Sequence, residues 1–591
     1  MKYIYRTLII AISILGNTSC IDDYIVTPDI VGLDVNKVFS SAKNAEGAIA
    51  LAYAYNLSSG LPVNTWSPPY MPYGTTEGYI GGEDLSDVSW TYEPALTSSG
   101  MTAAGPGSLN GAALSDDHFP FNYKYIRQAC MVMENIDKVP DLTEADKAII
   151  KGEMKGLIAF RHMEMLKRYG GVPLVDRSLT VLDYLERSSV QQTVDFILRL
   201  CNEAEVLIGD HMWSTEWTGR FNKGILLAIK AETLTYAARP LFNTDKPYLD
   251  LSPNNQFICL GNYSEQRWQD AIKANQDVIE WGKLNGYVLI DTDNPFDDFG
   301  RAVGIVNSPE VLLAYNQQGG GASTTGGGML NMYSANPQKG GTVDCDYRGT
   351  SYEMLMNFHK NDGTDQTWAG PVTALPYQDY YDRAQEMEPR FKASIWCFGI
   401  DPWNNPGDQF WSVRSGWHMN KSTKNQGIGR NIKFWYKAGT RDWFEFPIYR
   451  MSEFYLNMAE GYNEIKDNAN ALKYVNIIRN RGGLTDLTTP DYSTLKNNIE
   501  REWAVEFYNE NQFYPHARHW KKGDTMIGGR KNVFKFTYVA AAWGVRLPED
   551  FRTYKLAPGM IGSYAWYDKM YLSPFNQEEV NKGYLVQNPG Y

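Results

Sequence analysis

Residues 446–460 of the chain read FPIYRMSEFYLNMAE, and residues 475–483 read VNIIRNRGG. In and just after the first stretch, apolar side chains recur at helical spacing and form one stripe. The stripe consists of Met451, Phe454, Tyr455, Met458 and Tyr462. Arg450 and Glu453 stand three residues apart, a spacing that predicts an ion pair on a helix surface. The pattern predicts two helices, over residues 448–466 and 468–481, joined by a short link.

Further amphipathic stretches with helical spacing occur on both sides of this pair. They cover residues 36–57, 121–138, 144–169, 190–208, 221–242, 266–285 and 494–512. Because these helices come in pairs with short links, we expect a mainly α fold of stacked, tetratricopeptide-like helical hairpins. No strict sequence period repeats, so a consensus solenoid is not supported.

Long irregular regions interrupt the helices. Residues 58–118 and 286–447 are rich in Gly, Pro and aromatic residues, and residues 521–575 resemble them. Structureless stretches of this length in a compact chain usually serve a function. Loops on a rigid scaffold are also where binding residues tend to lie, so we expect ligand contacts here.

The first twenty residues have the features of an export signal. Lys2 and Arg6 precede a short apolar run, LIIAISIL over residues 8–15, and Cys20 follows small or polar residues. The run is too short to span a bilayer. We expect residues 1–19 to be a signal peptide and Cys20 to be acylated as in bacterial lipoproteins, which gives a firm anchor. Asn17 departs from the usual Leu, and the alternative is an ordinary secretory signal with an incidental Cys.

Composition excludes several classes of protein. The net charge is −12, which argues against nucleic acid as a partner because a basic surface is needed to neutralise phosphates. After residue 20 no stretch approaches 18 apolar residues, so no transmembrane helix is predicted. The five remaining cysteines are odd in number and include no CxxC, which is not the pattern of a disulfide framework.

Four stretches carry a family resemblance. They are residues 160–174, residues 446–483, the spaced set Glu502, Glu506, Glu510, Arg518 and Trp520, and the stretch QNPGY over residues 587–591. In this order they resemble motifs of the SusD/RagB family of nutrient-binding outer-membrane lipoproteins. Asn511-Gln512-Phe513 and Pro515-His516 depart from the family pattern, as does Cys130.

The resemblance implies a SusD-like domain over residues 20–591, with a helical half to about residue 285 and a loop-rich half from about residue 286. It implies a surface lipoprotein on the outer membrane, and Asp22-Asp23 resembles the export tag of such proteins. It also implies a partner, a SusC-like TonB-dependent transporter that imports the glycan captured by this chain.

The motif residues themselves favour a scaffold over a catalytic site. Glu502, Glu506 and Glu510 lie on one helix face, and repelling acids need partners. The candidate partners are Arg479, Arg481, Arg501 and Arg518. This spacing predicts a structural network of salt bridges.

We find no complete motif for a metal, a cofactor or catalysis. His516 and His519 have no further ligand at a useful spacing. Residues 291–298, DTDNPFDD, are acid-rich but lack the Gly at position 6 and the Glu at position 12 of an EF-hand, which leaves a loose structural calcium site as the one open possibility. There is no GxSxG, Walker loop or GxGxxG on a strand–helix turn. We therefore expect no enzyme activity and no cofactor.

The aromatic residues indicate the ligand. The chain has 17 Trp, 39 Tyr and 24 Phe, and many of them lie in the irregular regions. Trp and Tyr offer rigid faces on which the apolar side of a pyranose ring stacks. We expect glycan contacts from Trp66, Tyr70, Tyr73, Tyr79 and Trp90 in the first region and from Trp368, Trp403, Trp411 and Trp417 in the second. Trp90 and Trp403 are the strongest candidates, the latter because Asn404, Asn405 and Gly407 surround it.

Three alternatives stay open at this point. Each ring could instead pack in a small core under its loop. The protein could be a surface glycoside hydrolase, although two catalytic carboxylates cannot be nominated among so many acids. It could also be a SusD-like protein that binds peptide.

Overall fold

The structure is a computed structural model. It describes residues 35–58, 89–90, 118–180, 183, 185–318, 349–397, 429–434, 443–489, 491–510, 512–538, 551–564 and 566–591. Cys20, Trp66, Tyr70, Tyr73, Tyr79, Trp403, Trp411 and Trp417 lie outside these residues.

The N-terminal part is built from helices. They are α1 (Val35–Val38), α2 (Ala42–Ser58), α3 (His118–Asn135), α4 (Glu144–Tyr169), α5 (Val190–Ile208), α6 (Lys223–Ala238) and α7 (Glu265–Asn285). Neighbours in sequence pack on each other, α2 on α3, α4 on α5 and α6 on α7, as expected for helical hairpins. The fold is mainly α, as predicted.

Local sequence determines where α4 begins and ends. The Thr143 hydroxyl accepts a hydrogen bond from the Asp146 N–H, and the Asp146 carboxylate accepts one from the Thr143 N–H. This reciprocal capping box satisfies two amide donors that a helix start leaves open. At the other end the chain turns at Gly170, whose φ of +79° is easily reached only by glycine.

The second half contains more regular structure than predicted. Short helices are α8 (Pro295–Gly304), α9 (Tyr352–Leu355), α10 (Tyr377–Gln385) and α11 (Pro389–Ser394). They are followed by α12 (Met451–Glu464), α13 (Asn468–Arg481), α14 (Tyr492–Glu506), α15 (Phe513–His519), α16 (Gly523–Met526) and α17 (Gln577–Asn581). Helix α12 packs against α7 as well as α13, and thereby joins the two halves.

Nine strands complete the described architecture, β1 (Ser89–Trp90), β2 (Val311–Gln318), β3 (Gly349–Thr350), β4 (Leu375–Pro376), β5 (Ile395–Cys397), β6 (Gly429–Asn431), β7 (Trp443–Arg450), β8 (Gly529–Tyr538) and β9 (Phe551–Tyr564). They form three antiparallel sheets with the orders β1-β3-β6-β5, β2-β7 and β4-β9-β8.

Three sequence predictions are corrected here. Residues 448–450 belong to β7 and not to the helix predicted over 448–466, because Tyr449 and Arg450 pair with Leu313 and Val311 of β2. The helix predicted over 494–512 ends at Glu506, and Asn509 then takes a φ of +60°, which a helix cannot continue. The regions 286–447 and 521–575, predicted as irregular, hold helices α8–α11, helix α16 and most of the strands.

The described residues pack into two main cores. The first combines the N-terminal helices with α12, α13 and α14, and it contains Phe454 and Met458 from the predicted stripe. The second lies between α9–α11, the end of α14 and the strands β8 and β9. None of the described helices combines the length and the apolar run that a bilayer crossing requires.

A clamp formed by Arg187 and residues 586–588 holds the C-terminal stretch against the helical part. The Arg187 guanidinium donates to the Val586 carbonyl at 2.7 Å and to the Asn588 side-chain oxygen at 2.8 Å. It also donates to the carbonyls of Tyr169, the last residue of α4, and of Gly171 just beyond it. One buried side chain thus joins the start of the QNPGY motif to the Tyr169-Gly170-Gly171 motif.

Candidate ligand-binding site

A buried charge cluster lies where the second half meets the first. It comprises five carboxylates and five cations, Glu310, Glu388, Glu502, Glu506 and Glu510 with Arg390, Lys433, Arg450, Arg479 and Arg481. Each of these residues is at most 3% exposed. Since buried charges are tolerated only when they are paired, the equal numbers explain how so many can be buried together.

Arg450 is the most connected cation of the cluster. Its Nε lies 2.7 Å from Glu510 Oε2, and its Nη1 lies 2.7 Å from Glu506 Oε1. Arg390 and Arg479 share Glu502, at 2.8 and 2.7 Å. The helix face of α14 that carries the glutamates is therefore covered by cations from β7, α11 and α13.

The electrostatics of Glu506 follow from this geometry. Burial alone would raise its pKa, but Arg481, Arg450 and Arg390 outweigh burial and hold the pKa well below its usual value. The Glu506 carboxylate is therefore ionised and paired, and its role is to stabilise the structure. The predicted salt-bridge network is confirmed in the described residues.

The partners differ in part from those predicted. Arg479 and Arg481 pair as expected, whereas Arg501 contacts Asp365 and Arg518 donates to the Tyr571 carbonyl. The predicted Arg450–Glu453 pair is wrong, because Arg450 is the last residue of β7 and its side chain lies in the charge cluster. Glu453 is buried elsewhere, and burial together with Glu232 raises its pKa well above the usual value.

His516 and His519 are core residues. Both are buried. A ring nitrogen of His516 bonds to the carbonyl of Gln512, four residues earlier, and a ring nitrogen of His519 bonds to the carbonyl of Lys167 in α4. Burial, with Arg239 nearby, lowers the pKa of both imidazoles well below the usual value, so both are neutral. Within the described ranges, no three His, Cys, Asp or Glu side chains are grouped to hold a metal ion.

The acid-rich loop at residues 291–298 is held by hydrogen bonds between its own residues. The buried Asp298 carboxylate accepts hydrogen bonds from the Thr292 N–H at 2.7 Å and from the Thr292 hydroxyl at 2.6 Å. It also accepts from the Asn294 N–H. This carboxylate therefore organises the turn into α8.

The sheet β1-β3-β6-β5, here called the loop sheet, joins the two aromatic regions. Trp90 on β1 is paired in backbone register with Gly349 on β3, and Gly349 is paired with Arg430 on β6. Arg430 is in turn paired with Trp396 on β5. One strand comes from the region 58–118 and three come from 286–447, so the sheet brings stretches far apart in sequence to one place.

The loop sheet rests on the second core. Ile395 and Cys397 of β5 are buried in that core. Thr350 of β3 is buried as well, and its hydroxyl shares a 2.7 Å hydrogen bond with the Tyr508 hydroxyl. The Ile432 N–H donates to the Ser394 carbonyl at 2.8 Å. These contacts fix the sheet to which the aromatic-rich segments connect in sequence.

Trp368, one of the predicted ligand contacts, has a different environment. It is only 8% exposed, and its ring packs against those of Tyr380 and Phe534, with centroids 6.0 and 5.6 Å apart. Trp368 is therefore a core residue, the alternative that the sequence left open for each ring.

Sequence reasoning passed over one aromatic segment that lines a cleft. Trp213 and Trp217 lie in the connection between α5 and α6, beside a cleft of about 290 Å³. The available signal was HMWSTEW over residues 211–217, two tryptophans close together in a helix–helix turn. The predicted ligand contacts were limited to the long irregular regions and therefore did not include this segment.

Comparison with known proteins identifies the family. The family model described as the SusD family matches residues 309–591, and a second, described as starch-binding associating with outer membrane, matches residues 111–231. The chain belongs to the SusD family. Among curated protein sequences none matches this chain.

Solved structures share the fold of this SusD-family chain. A SusD-like protein from Bacteroides fragilis has 22% identity and a TM-score of 0.70, over 95% of this chain and 99% of its own. A SusD-like carbohydrate binding protein from the same species has 16% identity and a TM-score of 0.65, over 93% and 99%. Surface glycan-binding protein A from Bacteroides thetaiotaomicron, in complex with laminarihexaose, has 18% identity and a TM-score of 0.55, over 93% and 99%.

The charge cluster generates a stability prediction for this SusD-family protein. Glu506→Gln keeps the shape but removes the charge that Arg450 and Arg481 share, which leaves buried cations short of a partner. We expect it to lower the free energy of unfolding by about 3–5 kcal/mol, measured by chemical denaturation. Glu203→Gln, in a partly exposed pair, is the matched control and should change it by no more than roughly 1 kcal/mol. Equal stability of wild type and Glu506→Gln would contradict the assigned role.

The buried histidines generate a pH prediction. The pKa of His519 is depressed in the folded state, so below pH 6.5 the unfolded chain takes up a proton that the folded chain does not. Stability from this group is complete at neutral pH and is lost as the pH falls. His519→Gln keeps an N–H toward the Lys167 carbonyl but cannot titrate. Between pH 7 and pH 5, the wild type should lose about 2 kcal/mol relative to this variant. Parallel pH profiles would show that His519 is already protonated in the fold.

Proposed function

We propose that this chain is a surface glycan-binding protein that captures oligosaccharide without cleaving it and delivers it to a SusC-like transporter. The observation that carries the proposal is the loop sheet, which unites the two aromatic-rich regions on one fixed support. Membership of the SusD family supports it, as does the laminarihexaose bound by a structural neighbour.

The proposed binding mechanism uses rings and amides together. The apolar C–H face of a pyranose packs on an indole or phenol ring, while neighbouring Asn, Gln, Asp or Arg side chains bond its hydroxyls. Trp90 is part of strand β1 of the loop sheet. Trp403 lies in sequence between strands β5 and β6 of the same sheet and is followed by Asn404 and Asn405. The segments that connect these strands in sequence carry several such rings, which together would contact one extended glycan.

The charge cluster supports binding over hydrolysis. A glycoside hydrolase uses two carboxylates at a set separation, one of them as a proton donor. The most closely spaced acids of the family motif, Glu502, Glu506 and Glu510, are buried and paired with arginine or lysine. They support the fold and are not offered to a substrate.

Location and partner are part of the proposal. Acylation of Cys20 would anchor the protein to the outer membrane, in keeping with the family description that mentions association with that membrane. Anchored there and facing outward, the protein would cover the mouth of a TonB-dependent barrel and pass its ligand inward.

Ligand binding is tested on a glycan array followed by calorimetric titration. We expect oligosaccharide binding on the order of −5 to −8 kcal/mol and no new reducing ends after long incubation. Trp90→Ala and Trp403→Ala should each weaken binding by about 1–3 kcal/mol while the protein stays folded. Tyr263→Ala, which removes a ring that is 57% exposed elsewhere, is the control and should bind normally. Release of reducing ends by the pure protein would favour the hydrolase, and normal binding by both tryptophan variants would place the ligand elsewhere.

The anchor and the transporter are tested by fractionation and pull-down. Cys20→Ala should yield a folded protein that no longer sediments with outer membranes, and a fatty-acid label should mark only the wild type. The wild-type protein should co-purify with a TonB-dependent barrel. A Cys20→Ala protein that remains in the membrane without detergent would disprove the lipid anchor, and pull-down of no barrel would disprove the proposed partner.

A further inference from the structure

A cleft lined by aromatic residues lies in a part of the chain that is distant in sequence from the loop sheet. Its wall is the connection between α5 and α6, and its other sides are the end of α7 and the segment that leads into β2. We call it the tryptophan cleft, and its key residues are Trp213, Trp217, Thr218, Asn285, Tyr287 and Asn307. Its volume of about 290 Å³ lies near the lower end of small-molecule sites, which run from roughly 300 to 1,000 Å³.

Trp217 provides an exposed ring at this cleft. It is 41% exposed on a single 3₁₀ turn, Thr215–Trp217, and the neighbouring Met212 is 42% exposed. A large aromatic ring that remains in water in a folded protein is a ready surface for an apolar partner.

A partly buried ion pair between Arg220 and Glu153 holds the two tryptophans. The Arg220 guanidinium carbon lies 3.6 Å from the ring centroid of Trp213 and 5.5 Å from that of Trp217. Arg220 Nε donates to the fully buried Glu153 at 2.8 Å, and Glu153 also accepts from the Tyr53 hydroxyl at 2.6 Å. The Trp213 indole N–H donates to the Phe221 carbonyl at 2.9 Å. The aromatic wall is therefore rigid before any ligand arrives, which lowers the entropy cost of binding.

The rim of the cleft carries side-chain amides. Thr218 donates to the Asn307 side-chain oxygen at 2.9 Å, which leaves the Asn307 amide N–H groups at an exposed position. Asn285 is exposed and uses its amide nitrogen on the Trp281 carbonyl, so its oxygen faces no donor among the described residues. Donor and acceptor groups beside a flat ring are what sugar hydroxyls require.

Each charged residue that lines the cleft already has a partner in the described part of the chain. Its two charged lining residues are Arg220, which pairs with Glu153, and Glu445, which is buried and accepts from the Asn307 N–H at 2.9 Å. An anionic ligand would meet no free cation there, because Arg220 is already paired with Glu153. The chemistry of the cleft thus matches an uncharged, hydroxyl-rich ring.

We propose that the tryptophan cleft is an accessory glycan subsite, which stacks one pyranose of a neutral hexose oligosaccharide on Trp217 and bonds its hydroxyls through Asn285 and Asn307. This rests on the proposed function but uses none of the loop-sheet residues. A second subsite on one protein would retain a long glycan by bivalent attachment, since the second contact forms at high effective concentration.

The test reads each tryptophan separately. Protein labelled with 5-fluorotryptophan gives one ¹⁹F resonance per Trp, and Trp213→Phe and Trp217→Phe assign the two in the cleft. The probes are laminarihexaose, maltohexaose, cellohexaose and mannohexaose at millimolar concentration. We expect saturable shifts of the Trp217 and Trp213 resonances with at least one probe. Trp217→Ala should raise the midpoint seen at Trp213 roughly tenfold or more, whereas Tyr263→Ala should not change it.

The outcomes separate this inference from the proposed function. If other tryptophans respond and the cleft resonances do not, the subsite is wrong and the glycan-binding function stands. If no resonance responds to any probe, the subsite and neutral-glycan binding are both wrong. If the cleft resonances respond only to the detergent-solubilised transporter, the cleft is a protein contact and the subsite is overturned.

Discussion

The balanced set of buried charges around α14 is the constraint on which the second half of the molecule depends. The five cations come from four stretches of the chain, at residues 390, 433, 450 and 479–481, and each must reach a carboxylate on α14 or beside it. Buried ion pairs add little net stability compared with apolar packing, but an unmatched one is costly. The cluster therefore acts mainly through specificity, because an arrangement that misplaces one segment leaves a charge without its partner.

How much of this was predictable depends on how local each feature is. Helix α4 was predicted with the bounds that the structure shows, since the Thr143 cap, the helical stripe and the Gly170-Gly171 stop all lie within or next to it. Arg450 was assigned to Glu453 by the same local reasoning and the assignment failed, because its true partners lie 56 and 60 residues away. Sequence spacing identifies helix faces, but it does not show which distant segment covers them.

The tryptophans show the same limit at the candidate sites. Trp368 lies in a loop-like, polar stretch yet packs in the second core, whereas Trp217 lies in a short turn between scaffold helices and is exposed. Trp368 is covered by neighbours such as Tyr380 and Phe534. Trp217 instead lies beside Arg220, which is paired with Glu153. No composition rule separates these two rings, because each has polar and aromatic residues nearby in sequence.

The clamp between Arg187 and residues 586–588 makes the order of synthesis matter. Arg187 and Asn588 are 401 residues apart in the chain, yet the arginine also binds the turn that ends α4. When the N-terminal helices emerge, the groups that complete this turn do not yet exist, so the helical part stays unfinished until residues 586–588 are made. Contacts at such separation are slow to close. Under the export to the outer membrane proposed above, this delay would be useful, because it would keep the polypeptide unfolded during most of its translocation.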